Sequence, residues 1–363
     1  MSQTIMKTEE RVAFALRSLY RKYGYLPYKM SKFEAYDLYV ANKDFLVGDG
    51  VITFNDTDGK LLALKPDVTL SIIKNAGEEQ RKVFYHENVY RISGATKQFK
   101  ELMQVGLERI GDISVYALYE TVYLAAASLN EISENFVLDV SHLGVLSAVI
   151  NSLGVDNVAQ KALMKKIANK NLHETAALCA EYGVEEEKAQ KLIKLVKTYG
   201  DMDEVLAKLS PLCESGAAKA AFEELKAICL LLKKTEFAAK IRLDFSVVND
   251  MKYYSGIVFK GFVDGVAEGV LSGGQYDRLM QRMGRKSGAI GFAVYLDLLE
   301  GMQEERSRTD VDVLVLYDDT TSPEKLLETV QKLIAEGKSV SAQTSEERLR
   351  YCKLLDLRKG GAV

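Results

Sequence analysis

Apolar positions recur with a helical period near the start of the chain: Val12, Leu16, Leu19 and Tyr23 mark one face of a helix over 8–24, and Gly24 suits its C-terminal stop. The period then changes. Residues 51–64 hold two β-prone apolar runs around Asp58-Gly59, a hairpin signal. Further strands are expected over 82–91, 102–110, 241–248, 253–263 and 267–271. Between the early and late strands, residues 143–234 carry helix formers with turn punctuation only, as in Gln160–Ile167 and Lys188–Val196. This pattern predicts an all-helical insertion inside a mainly antiparallel sheet domain, an α+β fold. After the charged linker Glu304–Asp310, Val311–Tyr317 reads as a buried strand. Ser322-Pro323 then starts a helix with Leu326, Leu327, Val330 and Ile334 on one face, and Gly337 stops it. A short strand over 339–342 and a helix-like segment from Ser345 follow. One βαβ unit fits there, and a complete doubly wound domain does not.

A chain of 363 residues exceeds the size at which a single core usually keeps growing, so two or three domains are expected. The expected boundaries are 1–142 for the first part of the sheet core, 143–238 for the helical insertion, 239–303 for the second part of the core and 304–363 for the tail. Hydrophobic residues at 47% and charged residues at 27% fit an ordinary globular protein. No run reaches the roughly 18 apolar residues of a membrane span. Met1–Glu10 is polar without an apolar stretch, so a cytoplasmic location is expected.

The four cysteines, Cys179, Cys213, Cys229 and Cys352, form no C-x-x-C pair and read as buried free thiols. The three histidines lie far apart, which lowers the odds of a transition-metal site. No cofactor is expected. A net charge of -3 gives no global basic footprint for nucleic acid. Phosphate-binding glycine loops and serine nucleophile elbows are absent. Gly273-Gly274 lacks the lysine and hydroxyl residue of a phosphate loop and, taken alone, reads as a close backbone approach.

Five segments in fixed order resemble the class II core of the histidyl-tRNA synthetase family. Leu64-Lys-Pro-Asp-Val-Thr69 is similar to that family's Arg-Pro-Glu-x-Thr, and Gln104-Val-Gly-Leu-Glu108 to its Gln-x-Gly-x-Glu strand. Asn249-Asp-Met-Lys-Tyr-Tyr-Ser-Gly256 resembles Arg-Gly-Leu-Asp-Tyr-Tyr-Thr-Gly, and Gly273-Gly-Gln-Tyr-Asp277 resembles Gly-Gly-Arg-Tyr-Asp. Gly291-Phe-Ala-Val-Tyr-Leu-Asp-Leu-Leu299 resembles Gly-Phe-Ala-x-Gly-x-Glu-Arg-Leu. The likeness covers residues 8–300, and the tail resembles only the first part of an anticodon-binding domain. The implied architecture is a class II aminoacyl-tRNA synthetase-like antiparallel sheet core with a helical insertion and a truncated C-terminal βαβ segment.

The resemblance assigns the α-ammonium of a bound histidine to Asp67, Thr69 and Gln104. It assigns the imidazole to Glu108, which can accept from a ring N–H, with Tyr254 and Tyr276 at its edges and Tyr253 alongside. Arg91, in Val89-Tyr-Arg-Ile-Ser-Gly94, stands between a carboxylate contact and a sheet-face salt bridge. Taken singly, the tyrosines fit cross-strand packing and the acids fit solvated surface; their joint spacing points to a pocket.

The departures change the expected function. Amino-acid activation needs cations on phosphates and on the attacked carboxylate. The family's arginines fall on Asn249 and Leu298, a glutamate on Ser93 (or on Ile92 if the alignment shifts by one), and the glycine beneath the nucleotide on Tyr295. A disarmed site that still suits histidine has a sensor's profile, and the resemblance then implies a non-catalytic regulatory subunit of ATP phosphoribosyltransferase. Its implied partners are a short-form catalytic subunit, free histidine and a second copy of itself, paired through a first motif near Ser31–Glu34, without tRNA or membrane. A divergent histidyl-tRNA synthetase and a synthetase-like binding module with another partner are the alternatives.

Overall fold

The computed structural model describes residues 7–42, 50–75, 80–92, 98–214, 216–247, 253–299, 302, 309–346 and 349–358. The chain divides into two units, Met1–Gly301 and Met302–Val363. The larger begins with α1 (Thr8–Lys22), β1 (Leu26–Pro27), β2 (Phe33–Ala35), α2 (Tyr36–Ala41), β3 (Thr53–Asn55), β4 (Leu61–Leu64) and α3 (Thr69–Asn75). The long strands β5 (Arg81–Ile92) and β6 (Phe99–Gly111) follow, then α4 (Val115–Ile132) and β7 (Phe136–His142). A helical stretch comes next: α5 (Leu143–Asn151), α6 (Asn157–Ala168), α7 (Leu172–Glu181), α8 (Glu186–Val196), α9 (Met202–Leu209) and α10 (Gly216–Leu232). The short β8 (Tyr199–Gly200) lies between α8 and α9. The unit ends with β9 (Ile241–Asp244), β10 (Ile257–Val263), β11 (Leu271–Gln275), α11 (Asp277–Arg282) and β12 (Gly288–Tyr295).

Nine strands form one sheet in the order β1-β5-β6-β12-β11-β10-β7-β9-β8, antiparallel except where β1 meets β5 and β7 meets β9. Strands β2, β4 and β3 make a small antiparallel sheet of their own. Because side chains alternate across a strand, register sorts the large sheet into two faces. One face carries Phe84, Leu107, Phe292 and Phe259 and is covered by α1 and α4. Tyr20 of α1 packs edge-on to Phe292 at 5.9 Å and shares a 2.9 Å hydrogen bond with Ser128 of α4. Gly261 of β10 has no side chain because Leu129 of α4 fills that space: an added Cβ would stand 2.6 Å from Leu129 Cδ1. The opposite face holds polar groups and glycines, among them Gln104, Gly106 and Glu108.

Several expected elements move. Residues 267–270 are not strand; they belong to the turn between β10 and β11, where Gly265 takes φ +82 and Gly269 lies against the Lys260 stem. Tyr253 and Tyr254 precede β10, which starts only at Ile257. The smaller unit contains β13 (Val311–Leu316), α12 (Pro323–Ala335), β14 (Val340–Gln343) and β15 (Tyr351–Asp356). The three strands are parallel in the order β14-β13-β15. The segment after Ser345 is therefore an edge strand rather than a helix, because pairing with buried β13 outweighs its helix-forming residues. Ser322 caps α12, as expected. Leu326, Val330 and Leu333 are its half-buried apolar residues, whereas Leu327 and Ile334 are each 57% exposed, so the buried face is narrower than the expected one. Cys179, Cys213 and Cys229 are buried thiols, but Cys352 is exposed on β15. Among the described residues no helix is long and apolar enough to cross a membrane.

The Leu129–Gly261 contact sets a test of the packing. Leu129→Ala is expected to cost about 2–5 kcal/mol through the cavity it leaves, and Gly261→Ala about 1–3 kcal/mol through overpacking. Together the two should cost less than their sum, since each relieves the other. Urea unfolding of the three variants checks this, and strict additivity would contradict it.

Candidate functional site

Alternation along β6 puts Gln104, Gly106 and Glu108 on the polar face of the sheet, and register sets Tyr295, Ala293 and Gly291 of β12 beside them. Ser272 and Gly274 of β11 come next. This platform is kept low for a reason. A Cβ on Gly291 would collide with Glu108 Oε2, one on Gly106 with the Tyr85 hydroxyl, and one on Gly274 would lie 2.7 Å from Tyr254 Cδ1. Glycine at these three positions lets a carboxyl and two phenols lie against the sheet backbone.

Glu108 is 2% exposed. Thr69 Oγ1 donates to its Oε1 at 2.7 Å and Tyr276 Oη donates to its Oε2 at 2.5 Å. Burial pushes the Glu108 carboxyl up to about 8, although both hydroxyl donors pull the other way. The Asp67 charge adds to the rise. Asp67 is itself buried and accepts from Leu70 N at 2.9 Å, satisfying an unpaired donor at the start of α3, whose first residue is Thr69. Burial raises Asp67 as well, against the pull of the Leu70 N–H and of Arg91. One turn of chain, 67–70, thus caps a helix and delivers both a carboxyl and a hydroxyl.

The expected tyrosines converge. Tyr253 lies 4.8 Å from Tyr254 and 5.7 Å from Tyr276 between ring centroids, tilted 55° in both cases. These are not sheet pairs, because Tyr253 and Tyr254 sit in the segment before β10 and Tyr276 at the N-cap of α11. Arg91 Nε donates to the Pro66 carbonyl at 3.0 Å, which holds the guanidinium within range of Asp67. Asn249 and Ser93, two of the expected departures, lie outside the described residues. Leu298 is half-buried in the turn after β12, and the Tyr295 hydroxyl lies 2.6 Å from Ser272 Oγ.

Two further residues belong to the site. Tyr85 is buried opposite Gly106, and its phenol is pushed well above the usual range by burial first and by the Glu108 and Asp67 charges second. Tyr39 of α2 is buried, its hydroxyl has no partner among the described residues, and Asp67 lies within its electrostatic reach. Strand alternation from Arg91 would find Tyr85; nothing local in the sequence marks Tyr39. Gln104 is buried, and its amide nitrogen has no hydrogen-bond partner among the described residues. The site therefore offers two buried carboxyls, a ring of phenols and unpaired polar groups, chemistry suited to a small ligand carrying N–H donors. Among the described residues no group of three or more metal-binding side chains is present.

Glu108 predicts a pH dependence. A carboxyl near 8 in the folded chain against an ordinary 4.5 corresponds to about 5 kcal/mol between protonated and ionised forms. Because the folded value is the higher one, that stability is complete below pH 4.5, declines as pH rises and is lost above about pH 8. Asp139, raised to about 6 mainly by burial, acts in the same direction. The ligand-free chain should therefore melt at progressively lower temperature from pH 5 to 9. Glu108→Gln should flatten the part of that slope reaching to pH 8, and parallel wild-type and variant curves would show that Glu108 ionises normally.

Residues 3–299 match the histidyl-tRNA synthetase family. An ATP phosphoribosyltransferase regulatory subunit of Bacillus cereus is 26% identical over 321 residues, 85% of this chain and 76% of that protein. A crystal structure described as an ATP phosphoribosyltransferase regulatory subunit/histidyl-tRNA synthetase from Bacillus halodurans is similar with a TM-score of 0.78 at 21% identity, covering 99% of this chain and 97% of that one. A chain from the ATP phosphoribosyl transferase (HisG:HisZ) complex of Thermotoga maritima is similar with a TM-score of 0.61 at 18% identity, covering 78% and 96%. With the family match spanning the whole polar-faced sheet and its pocket, the chain belongs to the histidyl-tRNA synthetase family.

Proposed function

We propose that this chain is a non-catalytic regulatory subunit of ATP phosphoribosyltransferase. It binds free histidine, is needed for full activity of a short-form catalytic subunit and passes histidine feedback inhibition to it. The observation that carries this reading is the buried Glu108 carboxyl, held between Thr69 and Tyr276 on a glycine platform. A site built on hydrogen-bonding groups rejects ligands that lack the matching donors by roughly 10⁴-fold. In this reading Glu108 takes an imidazole N–H, and Tyr253, Tyr254 and Tyr276 flank the ring. Asp67, Thr69 and Gln104 surround the amino-acid end, with Arg91 nearby. The Bacillus relatives named as regulatory subunits support the assignment.

The same reading makes the chain inactive as a synthetase. Leu298 and Asn249 bring no charge to a triphosphate, and the Tyr295 ring stands on the sheet face beside Gln104. The protein is taken to be cytoplasmic, homodimeric through the region around Ser31–Glu34, and without tRNA as a partner. The proposed organisation divides the chain after residues 142, 238 and 303, and the two compact units divide after Gly301.

Co-purification with the cognate short-form catalytic subunit, followed by activity with and without histidine, tests the function. The complex should be more active than the catalytic subunit alone and should lose activity with histidine; Glu108→Gln should assemble normally and relieve that inhibition. Histidine-dependent ATP–pyrophosphate exchange by the unmodified chain would favour a working synthetase instead. Light scattering at micromolar concentration should give a dimer mass, and a monomer would count against the proposed pairing.

A further inference from the structure

For the carboxylate end of the ligand the histidine reading of the pocket offers only Arg91, whose Nε is engaged by the Pro66 carbonyl. An amino acid whose ring and ammonium meet Glu108 and Asp67 must also place a carboxylate. Gln104 lies four residues before Glu108 on the same face of β6, so their backbones are about 13 Å apart along the strand. Between them the Tyr85 hydroxyl lies over Gly106, while the Glu108 carboxyl lies against Gly291 of the next strand, so Gln104 marks a separate end of the platform. Gln104 is 3% exposed, and its amide nitrogen has no hydrogen-bond acceptor among the described residues. A buried donor left unpaired is costly, so a ligand acceptor is the natural partner.

Beside Gln104 in register stands Tyr295 of β12, half-buried, with its hydroxyl 2.6 Å from Ser272 Oγ on the next strand. Tyr85 and Tyr254 both feel the Tyr295 oxygen, which places that phenol on the pocket's own rim. The nearest acid on the other side, Glu87 opposite Gln104 on β5, is already neutralised by the buried Lys65 at 2.9 Å. A carboxylate arriving here therefore meets donors rather than an unpaired like charge.

We propose that Tyr295 is a specificity-determining residue of this pocket: its hydroxyl and the Gln104 amide together hold the carboxylate of the bound amino acid. The hydrogens balance. Ser272 donates its hydroxyl hydrogen to the Tyr295 oxygen, Tyr295 donates its own to one carboxylate oxygen, and Gln104 Nε2 donates to the other. Ser272 thus acts as a positioning residue, polarising Tyr295 through a chain of two hydroxyls. This proposal rests on the pocket being a histidine site.

Calorimetry on the full chain with L-histidine and with histamine, which keeps the ring and the ammonium but lacks the carboxylate, tests it. Tyr295→Phe should weaken histidine about ten-fold, the scale of one hydrogen bond to a charged group, and leave histamine unchanged. The preference for histidine over histamine should narrow accordingly. Ser272→Ala should shift histidine in the same direction by less, and it carries the comparison if Tyr295→Phe proves too unstable in a thermal melt. Unaltered histidine affinity in both variants, or equal losses for histidine and histamine, would overturn the role of Tyr295 while leaving the pocket reading intact. Failure of the unmodified chain to bind histidine at all would overturn both.

Discussion

The buried carboxyl of Glu108 is the constraint around which the polar face of the sheet is organised. A carboxyl with 2% exposure must find hydrogen-bond donors or remain protonated. Here it has two, from Thr69 and Tyr276, side chains 39 and 168 residues away in sequence. Those two bonds fix the start of α3 and the N-cap of α11 against the middle of β6. The donors can approach only because Gly291, on the neighbouring strand, leaves the carboxyl room to lie flat. Replacing one hydroxyl would leave an unsatisfied buried acceptor, which is more damaging than losing an ordinary surface bond. The aromatic packing on the reverse face, from Tyr20 through Phe292 to Phe259, gives the rigid backing on which such placement depends.

Much of this was legible because local chemistry and global fold agree. The helical period of residues 8–24, the Asp58-Gly59 hairpin and the Ser322-Pro323 start all reappear as elements. The pocket residues were readable only jointly: Glu108 alone resembles any strand glutamate, and its burial follows from register against Gly291, which no single segment encodes. The tail keeps its strand, helix and second strand, and only the segment after Ser345 departs, for the opposite reason. Tyr351–Asp356 becomes a strand through pairing with β13 some 40 residues earlier, a long-range term that local propensity does not contain. Tyr39 was missed because a tyrosine on a short helix carries no signal until the fold brings it beside Asp67.

On the proposed reading, the platform serves ligand binding and not phosphate chemistry. Nucleotide activation places several negative charges over such a sheet face and relies on fixed cations to stabilise them. The face described here already holds Asp67 and Glu108, and its two nearest cations are committed: Lys65 to Glu87, and Arg91 to the Pro66 carbonyl beside Asp67. A triphosphate would exchange its hydration for a site of low dielectric in which both of these cations already have partners. A ligand with an ammonium and a ring N–H meets the reverse, since it supplies the positive charge and the donors that the buried acids lack.

That asymmetry bears on how a bound amino acid could signal. A ligand shifts a conformational equilibrium only by the difference in its affinity for the two states. The pocket is assembled from the 67–70 turn, β6, the segment before β10 and the start of α11, so any state that separates these stretches loses the site. Histidine binding would then stabilise the assembled arrangement by the full value of the contacts made across them, and typical couplings of about 1–3 kcal/mol require only one or two such contacts to differ. Glu108 adds a second variable. Its carboxyl near 8 keeps the empty site largely protonated at neutral pH, whereas a ring carrying positive charge would favour the carboxylate. On the proposed reading, ligand, proton and chain arrangement are linked through one side chain, whose carboxyl burial raises above its ordinary range.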